Sequence, residues 1–350
     1  MRSRSRPVTD LSPTLRMSTG QDDGVVAAGA PAGGAAEEVE DAHSGDRAVA
    51  RARFWERLTQ WMFIVPAAAY LLLFFGYPIV KNIVMSFQQY TTTTFYTGAA
   101  PFVGLQNYAT ILSSDLFSKA LLTTALFTAG SILGQFVLGL AFALFFQRRF
   151  PLGRSLRSLL LLPWLLPLVV SGTTWRWMLD PDTGVVNDAL RHLHLSSSGI
   201  PWLTGTSQAL VSVILINIWV GIPFNTAILY SGLQDIPTHL YESARLDGAG
   251  PVTLFRHVTW PLLRPVVSVL LVLGVVYTVK VLDIILVVTG GGPADATETI
   301  ATQSYELSFQ QFEFGRGAAM SNVLVVISLA FALVYLRANR RARNVGEAIR

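Results

Sequence analysis

The sequence predicts an all-α membrane protein with six transmembrane helices. Of its 350 residues, 51% are hydrophobic and only 14% are charged, whereas soluble domains carry roughly 25% charged residues. A single water-soluble core of this size does not bury so much apolar surface, so a soluble enzyme is disfavoured. The mean hydropathy is +0.46, and six apolar runs each approach the ~20 residues that a helix needs to cross a bilayer.

The six apolar runs are predicted to be helical because lipid offers the backbone no hydrogen-bond partners. The second, fourth and sixth contain no charged residue. We place the spans at about 63–87, 120–146, 159–179, 209–233, 266–289 and 318–336.

Positive charge predicts the orientation of the spans. With both termini in the cytoplasm, 20 of the 26 Lys and Arg residues fall on the cytoplasmic side, as the positive-inside rule requires. These charges form no groove-facing patch, so no nucleic acid partner is expected. The sequence thus predicts a disordered cytoplasmic tail over 1–55, a six-span transmembrane domain over 56–340 and a basic cytoplasmic tail over 341–350.

The residue inventory disfavours catalytic and metal sites. The chain has no cysteine, which excludes disulfides, cysteine-ligated metals and thiol catalysis. His192 and His194 have no accompanying carboxylate cluster at metal spacing, so we expect them to be solvated and expect no metal or cofactor. An intramembrane enzyme is the alternative from another class, but neither His-Glu-x-x-His nor Gly-x-Ser-x-Gly occurs, and no catalytic residue is predicted.

Prolines and small residues within the spans suggest how the helices bend and pack. Prolines kink helices, and kinked helices are typical of transporters that line a cavity, although membrane helices also tolerate proline in general. Gly130 and Gly134 form a GxxxG pattern that indicates a close-packing face. The prolines within the predicted spans are Pro66, Pro78, Pro163, Pro167 and Pro223.

The loop between the fourth and fifth spans, 232–261, is about 30 residues long, which is unusual for a tight bundle. A first helix is expected to begin at Pro237, to place Leu240 and Ala244, with Leu246 as a further candidate, on the same face as Tyr241, and to end at Gly248. A second short amphipathic helix is expected to end at Pro261, before the fifth span. Such an elbow is suited to docking in a partner's groove, and a passive channel would leave it unexplained.

This loop carries a family resemblance. The run 242–249, followed by 258–261, resembles the EAA motif of ABC importer permeases, in which Glu-Ala-Ala is followed by Gly six residues after the Glu and then by Ile and Leu-Pro. Glu242, Gly248 and Pro261 fall at that spacing. The resemblance implies the type I ABC importer permease fold with a cytoplasmic coupling helix.

Three further stretches, Phe102–Tyr108, Trp175–Asn187 and Thr289–Pro293, resemble the carbohydrate-uptake branch of these permeases, the maltose-permease-like or glycerol-phosphate-permease-like subunits. The resemblance implies a subunit of a binding-protein-dependent importer of a sugar or oligosaccharide in the bacterial cytoplasmic (inner) membrane. It also implies a heterodimer with a second permease, two ABC ATPase subunits and an extracytoplasmic sugar-binding protein. A polyol or a sugar phosphate such as glycerol-3-phosphate is the alternative solute.

The chain has no Gly-x-x-x-x-Gly-Lys-Ser/Thr loop, so a docked partner must supply the energy of ATP hydrolysis. The resemblance implies that Glu242 lies in a cleft of that ATPase and pairs with a basic group, while Gly248 permits a tight turn. The alternative for Glu242 is a solvated charge on a helix. The expected coupling residues are Tyr241, Glu242, Ser243, Ala244, Asp247, Gly248, Ala249, Phe255 and Pro261.

A solute site is expected on the fourth and fifth spans. Asn217, Gly221 and Phe224 share one helical face, and Gly221 is expected to let a ligand approach the backbone. Their run resembles the Asn-x-Trp-x-Gly-x-Pro-Tyr run of the maltose-type permease, with Phe224 replacing its tyrosine. In the fifth span, the maltose-type permease has Ser, Phe, Asn and Asn where this chain has Gly274, Tyr277, Thr278 and Val281. Two amides are therefore missing, and maltose is not predicted. The expected substrate-pathway residues are Asn217, Val220, Gly221, Phe224, Gly274, Tyr277, Thr278, Val281, Lys280 and Asp283.

Two alternatives remain open at these positions. The group on the fourth span is explained equally by ordinary helix packing, with Asn217 bonded to a neighbour. Lys280 and Asp283 are expected inside the fifth span, where each ionised group costs about 2.5–3.5 kcal/mol. Three residues apart, they are expected to share a helix face, either as a pair that lines the cavity or as a structural ion pair.

Overall fold

The computed structural model describes residues 59–148, 150–196 and 199–348, with side chains described as far as Arg337. Residues 59–73 belong to one compact unit, and Phe74–Arg350 form a second. The predicted tail over 1–55 lies outside the described residues. The predicted basic tail over 341–350 overlaps the described backbone only up to Ala348, where the last helix ends.

The described backbone is predominantly helical. Three π-helical turns interrupt or extend the helices, at Leu72–Gly76, Phe255–Thr259 and Glu306–Gln310. In chain order the helices are α1 (Thr59–Ser86), α2 (Thr92–Thr97), α3 (Gln106–Leu112), α4 (Asp115–Phe146), α5 (Gly153–Leu160), α6 (Leu162–Leu165), α7 (Leu168–Met178), α8 (Val185–His192), α9 (Thr206–Gln234), α10 (Thr238–Leu246), α11 (Pro251–Val279), α12 (Asp283–Val288), α13 (Ile300–Tyr305) and α14 (Phe314–Ala348).

Within the described residues, five helices are long and apolar enough to cross a membrane: α1, α4, α9, α11 and α14 as far as Arg337. Gly153–Leu165 and Leu168–Met178, which are bent by 95° relative to each other, make a sixth span if the bent pair is counted as one. Leu166 is extended, with ψ of 141°, because the ring of Pro167 disfavours helical backbone in the residue before it. The all-α fold is confirmed, but the third span is two helices rather than the single run predicted over 159–179.

The fifth span also differs from its prediction. It was expected over 266–289 but runs over Pro251–Val279, and α12 is a separate short helix. Pro261 does not end a preceding helix as expected, because α11 continues through it. In the π-helical turn just before it, the Trp260 N–H donates to the Phe255 carbonyl oxygen. This wider turn shifts the hydrogen-bond pattern ahead of a residue that has no N–H to donate, so the helix is not broken.

The second unit is organised around the pair α4 and α9. Added Cβ atoms at Gly130 and Gly134 would meet Ile214 and Ile218 of α9, the first at 3.3 Å and the second in overlap. Farther along α4, a Cβ at Gly139 would lie 2.7 Å from Cβ of Asn225. The predicted close-packing face is therefore confirmed, and α9 is the helix that it contacts.

Two clusters of buried apolar side chains lie along α9, and the buried polar side chains of Asn217, Asn225 and Thr226 lie where the two clusters meet. One cluster joins Ile216 to Phe127 and Ile284. The other joins Leu229 to Leu263 of α11. This arrangement leaves the middle of α9 with polar side chains in an otherwise apolar bundle, and the candidate site lies there.

Candidate functional site

An open cavity of about 460 Å³ lies beside the middle of α9, with walls from α4, α6, α7 and α11. The structure brings all ten of the predicted substrate-pathway residues to this cavity, although they come from two separate stretches of the chain. These residues are Asn217, Val220, Gly221, Phe224, Gly274, Tyr277, Thr278, Lys280, Val281 and Asp283.

Five further lining residues were missed from the sequence: Gln135, Trp164, Leu166, Leu168 and Asn225. Gln135 Nε2 donates to the Asn217 carbonyl oxygen at 2.9 Å, and Asn225 Nδ2 donates to Gln135 Oε1 at 3.4 Å. A signal existed for both amides. Gln135 is the only carboxamide in α4, and Asn225 follows Gly221 by four residues, on the face already assigned to the site.

Gly221 has a different role from the one expected. A Cβ at this position would overlap the side-chain amide of Gln135. The space that was expected to admit a ligand to the backbone is therefore filled by Gln135, whose amide needs that space to bond the α9 backbone. Gly221 shapes the cavity wall by admitting a neighbouring side chain.

Asn217 is only 5% exposed, and its Nδ2 has no hydrogen-bond partner among the described residues. The alternative in which the Asn217 amide bonds a neighbouring helix is not what the structure contains, because the bond from Gln135 goes to the Asn217 backbone. Buried polar atoms are nearly always paired, and an unpaired donor costs about 1–3 kcal/mol. Asn217 lines the cavity, and its buried Nδ2 has no partner within the described part of the chain.

Aromatic rings form one side of the cavity. The ring centroids of Trp164 and Phe224 are 5.9 Å apart, and those of Phe224 and Tyr277 are 6.3 Å apart in an edge-to-face arrangement. Lys280 Nζ lies 5.0 Å from the centroid of the Tyr277 ring. Trp164 reaches this row because the chain bends by 95° at Leu166; the sequence predicts a kink at Pro167 but not a bend of this size.

The predicted pairing of Lys280 and Asp283 is wrong. α11 ends at Val279 with Lys280 as its C-cap, and Asp283 begins α12. The three-residue spacing is therefore not realised on one helix, and the described residues include no ion pair between these two side chains. Both are exposed and line the cavity separately.

The elbow, defined here as residues 237–261, joins α9 to α11. Tyr241 OH and Thr259 Oγ1 are 3.0 Å apart, and this hydrogen bond ties its first helix, α10, to the start of α11. Gly248 has φ of +83°, and the Ala249 N–H donates to the Ala244 carbonyl oxygen at 2.9 Å. This left-handed residue closes α10 as a C-terminal cap.

The outer surface of the elbow is unusually apolar for an exposed turn. Leu246 is 90% exposed and Val252 is 79% exposed. These exposed apolar side chains agree with the expectation that the elbow presents apolar groups at its surface. Glu242 is exposed and forms no ion pair with any residue for which side chains are described.

The remaining predicted coupling residues divide by position. Ser243 and Asp247 are exposed, Ala244 and Ala249 are half-buried, and Pro261 lies within α11. A cleft of about 770 Å³ opens between the end of α4 and the elbow, and its lining residues include Tyr241, Glu242 and Phe255.

The three other stretches that carried the resemblance form loops with their own polar networks. In the second stretch, Asp180 Oδ1 accepts hydrogen bonds from the Thr183 N–H at 2.8 Å and the Asp182 N–H at 3.1 Å. The bonds from Thr183, followed by that from Asp182, lower the pKa of Asp180 because they favour the carboxylate. Asn187 bonds the loop over 199–202 through both ends of its amide.

In the third stretch, Thr289 Oγ1 lies 2.7 Å from Thr297 Oγ1, and the loop folds over Glu298. Glu298 is buried, and its Oε1 has no hydrogen-bond partner among the described residues. Burial raises the pKa of Glu298 to about 7, and the nearby Glu306 and Asp295 add to the rise. In the described part of the chain, no group of three or more His, Asp or Glu residues is placed to hold a metal ion.

Comparison with known proteins places this architecture in a family. Residues 135–344 match the family model described as binding-protein-dependent transport system inner membrane component. The trehalose/maltose transport system permease protein MalF of Thermococcus litoralis is 34% identical over 292 residues, which cover 83% of this chain and 97% of that protein. The sulfoquinovosyl glycerol transport system permease protein SmoG of Agrobacterium fabrum is 33% identical, over 81% of this chain and 90% of that protein.

Among solved structures, a bacterial ABC transporter involved in the import of the acidic polysaccharide alginate contains a similar chain. Its TM-score is 0.72 at 23% sequence identity, over 83% of this chain and 99% of that one. This similarity confirms the predicted type I importer permease fold. The chain therefore belongs to the binding-protein-dependent transport system inner membrane components, the ABC importer permeases, a family of membrane transport components and not of enzymes.

Proposed function

We propose that this permease forms half of the pathway for a sugar or oligosaccharide and couples it to ATP hydrolysis by a partner ATPase. The observation that carries the proposal is the composition of the cavity. The Asn217 amide, whose buried Nδ2 has no partner among the described residues, lies beside the aromatic row of Trp164, Phe224 and Tyr277. Sites for small molecules combine apolar and aromatic walls with a few placed polar groups, and a sugar has both hydroxyls and apolar ring faces.

The relatives support a sugar as the solute. One is named for trehalose and maltose and another for sulfoquinovosyl glycerol. The similar solved chain comes from an alginate importer. The cavity volume of about 460 Å³ falls within the roughly 300–1,000 Å³ range of small-molecule pockets.

Coupling would act through the two helices that the elbow joins. Asn217 lies 17 residues before the end of α9 at Gln234, or about 25 Å along the helix. Tyr277 lies near the far end of α11, whose first residue belongs to the elbow. A partner that displaces the elbow therefore moves two walls of the cavity, which shifts the balance between inward-open and outward-open states.

The elbow has the surface that docking requires. Leu246 and Val252 offer exposed apolar side chains, and Glu242 offers an exposed carboxylate with no ion-pair partner among the described side chains, to which a basic group of the ATPase could bind. In this proposal both termini and the elbow are cytoplasmic, since that orientation satisfies the positive-inside rule. The complex contains a second permease, two ATPase subunits and an extracytoplasmic sugar-binding protein, and a solved alginate importer has been crystallised with such a periplasmic protein.

The solute site is tested by uptake of a panel of mono- and oligosaccharides into cells or proteoliposomes that carry the complete transporter. Asn217→Ala and Phe224→Ala are each expected to raise the solute concentration for half-maximal uptake roughly two- to tenfold, as expected for one lost hydrogen bond or ring contact. Leu215→Ala is the matched control, because Leu215 is exposed on another face of α9. Unchanged kinetics in both cavity variants would refute the assignment of this cavity to the solute.

The coupling role is tested by two alanine substitutions in the elbow. A Cβ at either Gly248 or Gly250 meets nothing within 4 Å, but only Gly248 has positive φ. Gly248→Ala is expected to reduce solute-stimulated ATP hydrolysis while the subunit stays in the membrane, whereas Gly250→Ala retains it. Full stimulation in Gly248→Ala, or equal loss in both variants, would contradict a coupling role that depends on this turn.

A further inference from the structure

The end of the bundle that carries the elbow also contains a basic pocket, which shares Arg148 and Tyr241 with the cleft beside the elbow. It has a volume of about 670 Å³ and lies where α4, α5 and α9 approach one another. Three arginines line it, Arg148, Arg154 and Arg157, and none of its lining residues is Asp or Glu. Arginine clusters without acidic neighbours bind phosphate groups, because the guanidinium fork matches two phosphate oxygens.

Arg157 is held in place within this pocket. Its guanidinium carbon lies 3.8 Å from the centroid of the Tyr230 ring, and its Nη2 donates to the Phe146 carbonyl oxygen at 3.4 Å. The Tyr230 hydroxyl in turn accepts a hydrogen bond from Gln234 Nε2 at 2.7 Å. Stacking on an aromatic face orients the guanidinium before any ligand arrives, which lowers the entropy cost of binding an anion.

Arg157 is also incompletely satisfied. Its Nε is buried and has no hydrogen-bond partner among the described residues. No ion pair compensates its charge within the same part of the chain. A half-buried cation that lacks a counter-ion favours a site where an anion completes the pairing.

The helix that carries two of these arginines has an apolar opposite face. Leu156 and Leu159 are exposed three residues apart on one side of α5, exposed Leu152 immediately precedes the helix, and Arg154 and Arg157 follow the other side. A helix with leucines on one face and arginines on the other lies at the boundary between lipid headgroups and acyl chains. The pocket is thus placed where a phosphate and an acyl chain arrive together.

We infer that this basic pocket binds the phosphate of an anionic phospholipid whose acyl chains cover the leucine face of α5. A free phosphate ion or an acidic protein segment would use the arginines but would leave the leucines uncovered. Basic pockets between transmembrane helices at the membrane surface are the setting in which anionic headgroups bind. The inference does not depend on which solute the permease carries.

The test uses the full-length chain in detergent with phosphatidylglycerol or phosphatidylcholine of matched acyl chains, followed by native mass spectrometry. Phosphatidylglycerol is expected to bind several-fold more tightly than phosphatidylcholine. Arg148→Gln with Arg154→Gln should weaken phosphatidylglycerol binding about fivefold for each arginine removed. Both arginines are exposed, so this variant should remain folded, and Arg157→Gln serves as a second variant. Arg256→Gln is the matched control, because Arg256 is exposed in the elbow but does not line the pocket.

Four results would overturn the inference. Equal binding of the two lipids would remove the preference for an anionic headgroup. Unchanged binding in both the double variant and Arg157→Gln would remove the pocket as the site. A loss in Arg256→Gln equal to that in the double variant would indicate general surface charge. Displacement of the lipid by inorganic phosphate at a similar concentration would indicate a site for a free anion.

Discussion

Substituting alanine for Gly221 tests the packing that forms the cavity wall. The new methyl group would overlap the amide of Gln135, so this flexible side chain must rotate away. That rotation breaks the 2.9 Å bond to the Asn217 carbonyl oxygen and the 3.4 Å bond from Asn225. Leaving a buried amide without its hydrogen bonds lowers the free energy of unfolding by about 1–3 kcal/mol. Replacing glycine by alanine within a helix raises it by at most about 1 kcal/mol.

Gly274 provides the matched control for this substitution. It lines the same cavity, but a Cβ there would meet only Ile132, at an ordinary 3.7 Å. Gly274→Ala should therefore be as stable as the native chain or slightly more stable, and Gly221→Ala should be less stable than Gly274→Ala by about 1–3 kcal/mol. The measurement is denaturant or thermal unfolding in detergent.

A double-mutant cycle tests whether the overlap with the Gln135 side chain causes the loss of stability in Gly221→Ala. In a Gln135→Ala background the overlap no longer exists, so adding Gly221→Ala should cost nothing further. If Gly221→Ala matches Gly274→Ala in stability, or if its cost persists without the Gln135 side chain, the argument from this contact is wrong.

Three further predictions concern other parts of the second unit. Asn187→Ala removes hydrogen bonds to two carbonyl oxygens, the Ile200 N–H and Trp202 Nε1, and should lower the free energy of unfolding by about 2–4 kcal/mol, measured by thermal unfolding. Since folding raises the pKa of Glu298 from 4.5 to about 7, the folded state holds a proton that the unfolded chain has lost, and stability should fall as pH rises between those values. Glu298→Gln should remove that slope in unfolding measured across this pH range. Gly134→Ala forces a methyl group into Ile218 and should destabilise the chain by about 1–3 kcal/mol, while Gly134→Ala with Ile218→Val should recover part of the loss in the same unfolding assay.

The spans and the cavity residues on α9 could be identified from the sequence because hydropathy and helical spacing are local properties. Asn217, Gly221 and Phe224 share a face on any straight helix, so their convergence required only that α9 form. The resemblance supplied the second stretch, from Gly274 to Val281. Nothing local in the sequence would have shown that the two stretches lie beside one another.

The errors arise where tertiary structure decides. α11 ends at Val279 without a glycine or proline to signal it, so Lys280 and Asp283 were placed on a helix that does not extend to them. The sequence predicts that a helix ends at Pro261, but the preceding π-helical turn lets the helix continue through this residue. Trp164 was missed because its approach to Phe224 depends on the 95° bend, and the angle of such a bend cannot be read from the presence of Pro167 alone.

The glycine contacts between α4 and α9 limit which wall of the cavity can move. At Gly134 and Gly139 the two helices are too close to slide past each other without steric conflict. By contrast, Leu166, which joins the wall that carries Trp164 to α7, is extended. We therefore expect α4 and α9 to move together as one unit when the elbow is displaced, while a change of backbone angle at Leu166 alters the position of Trp164 relative to that unit.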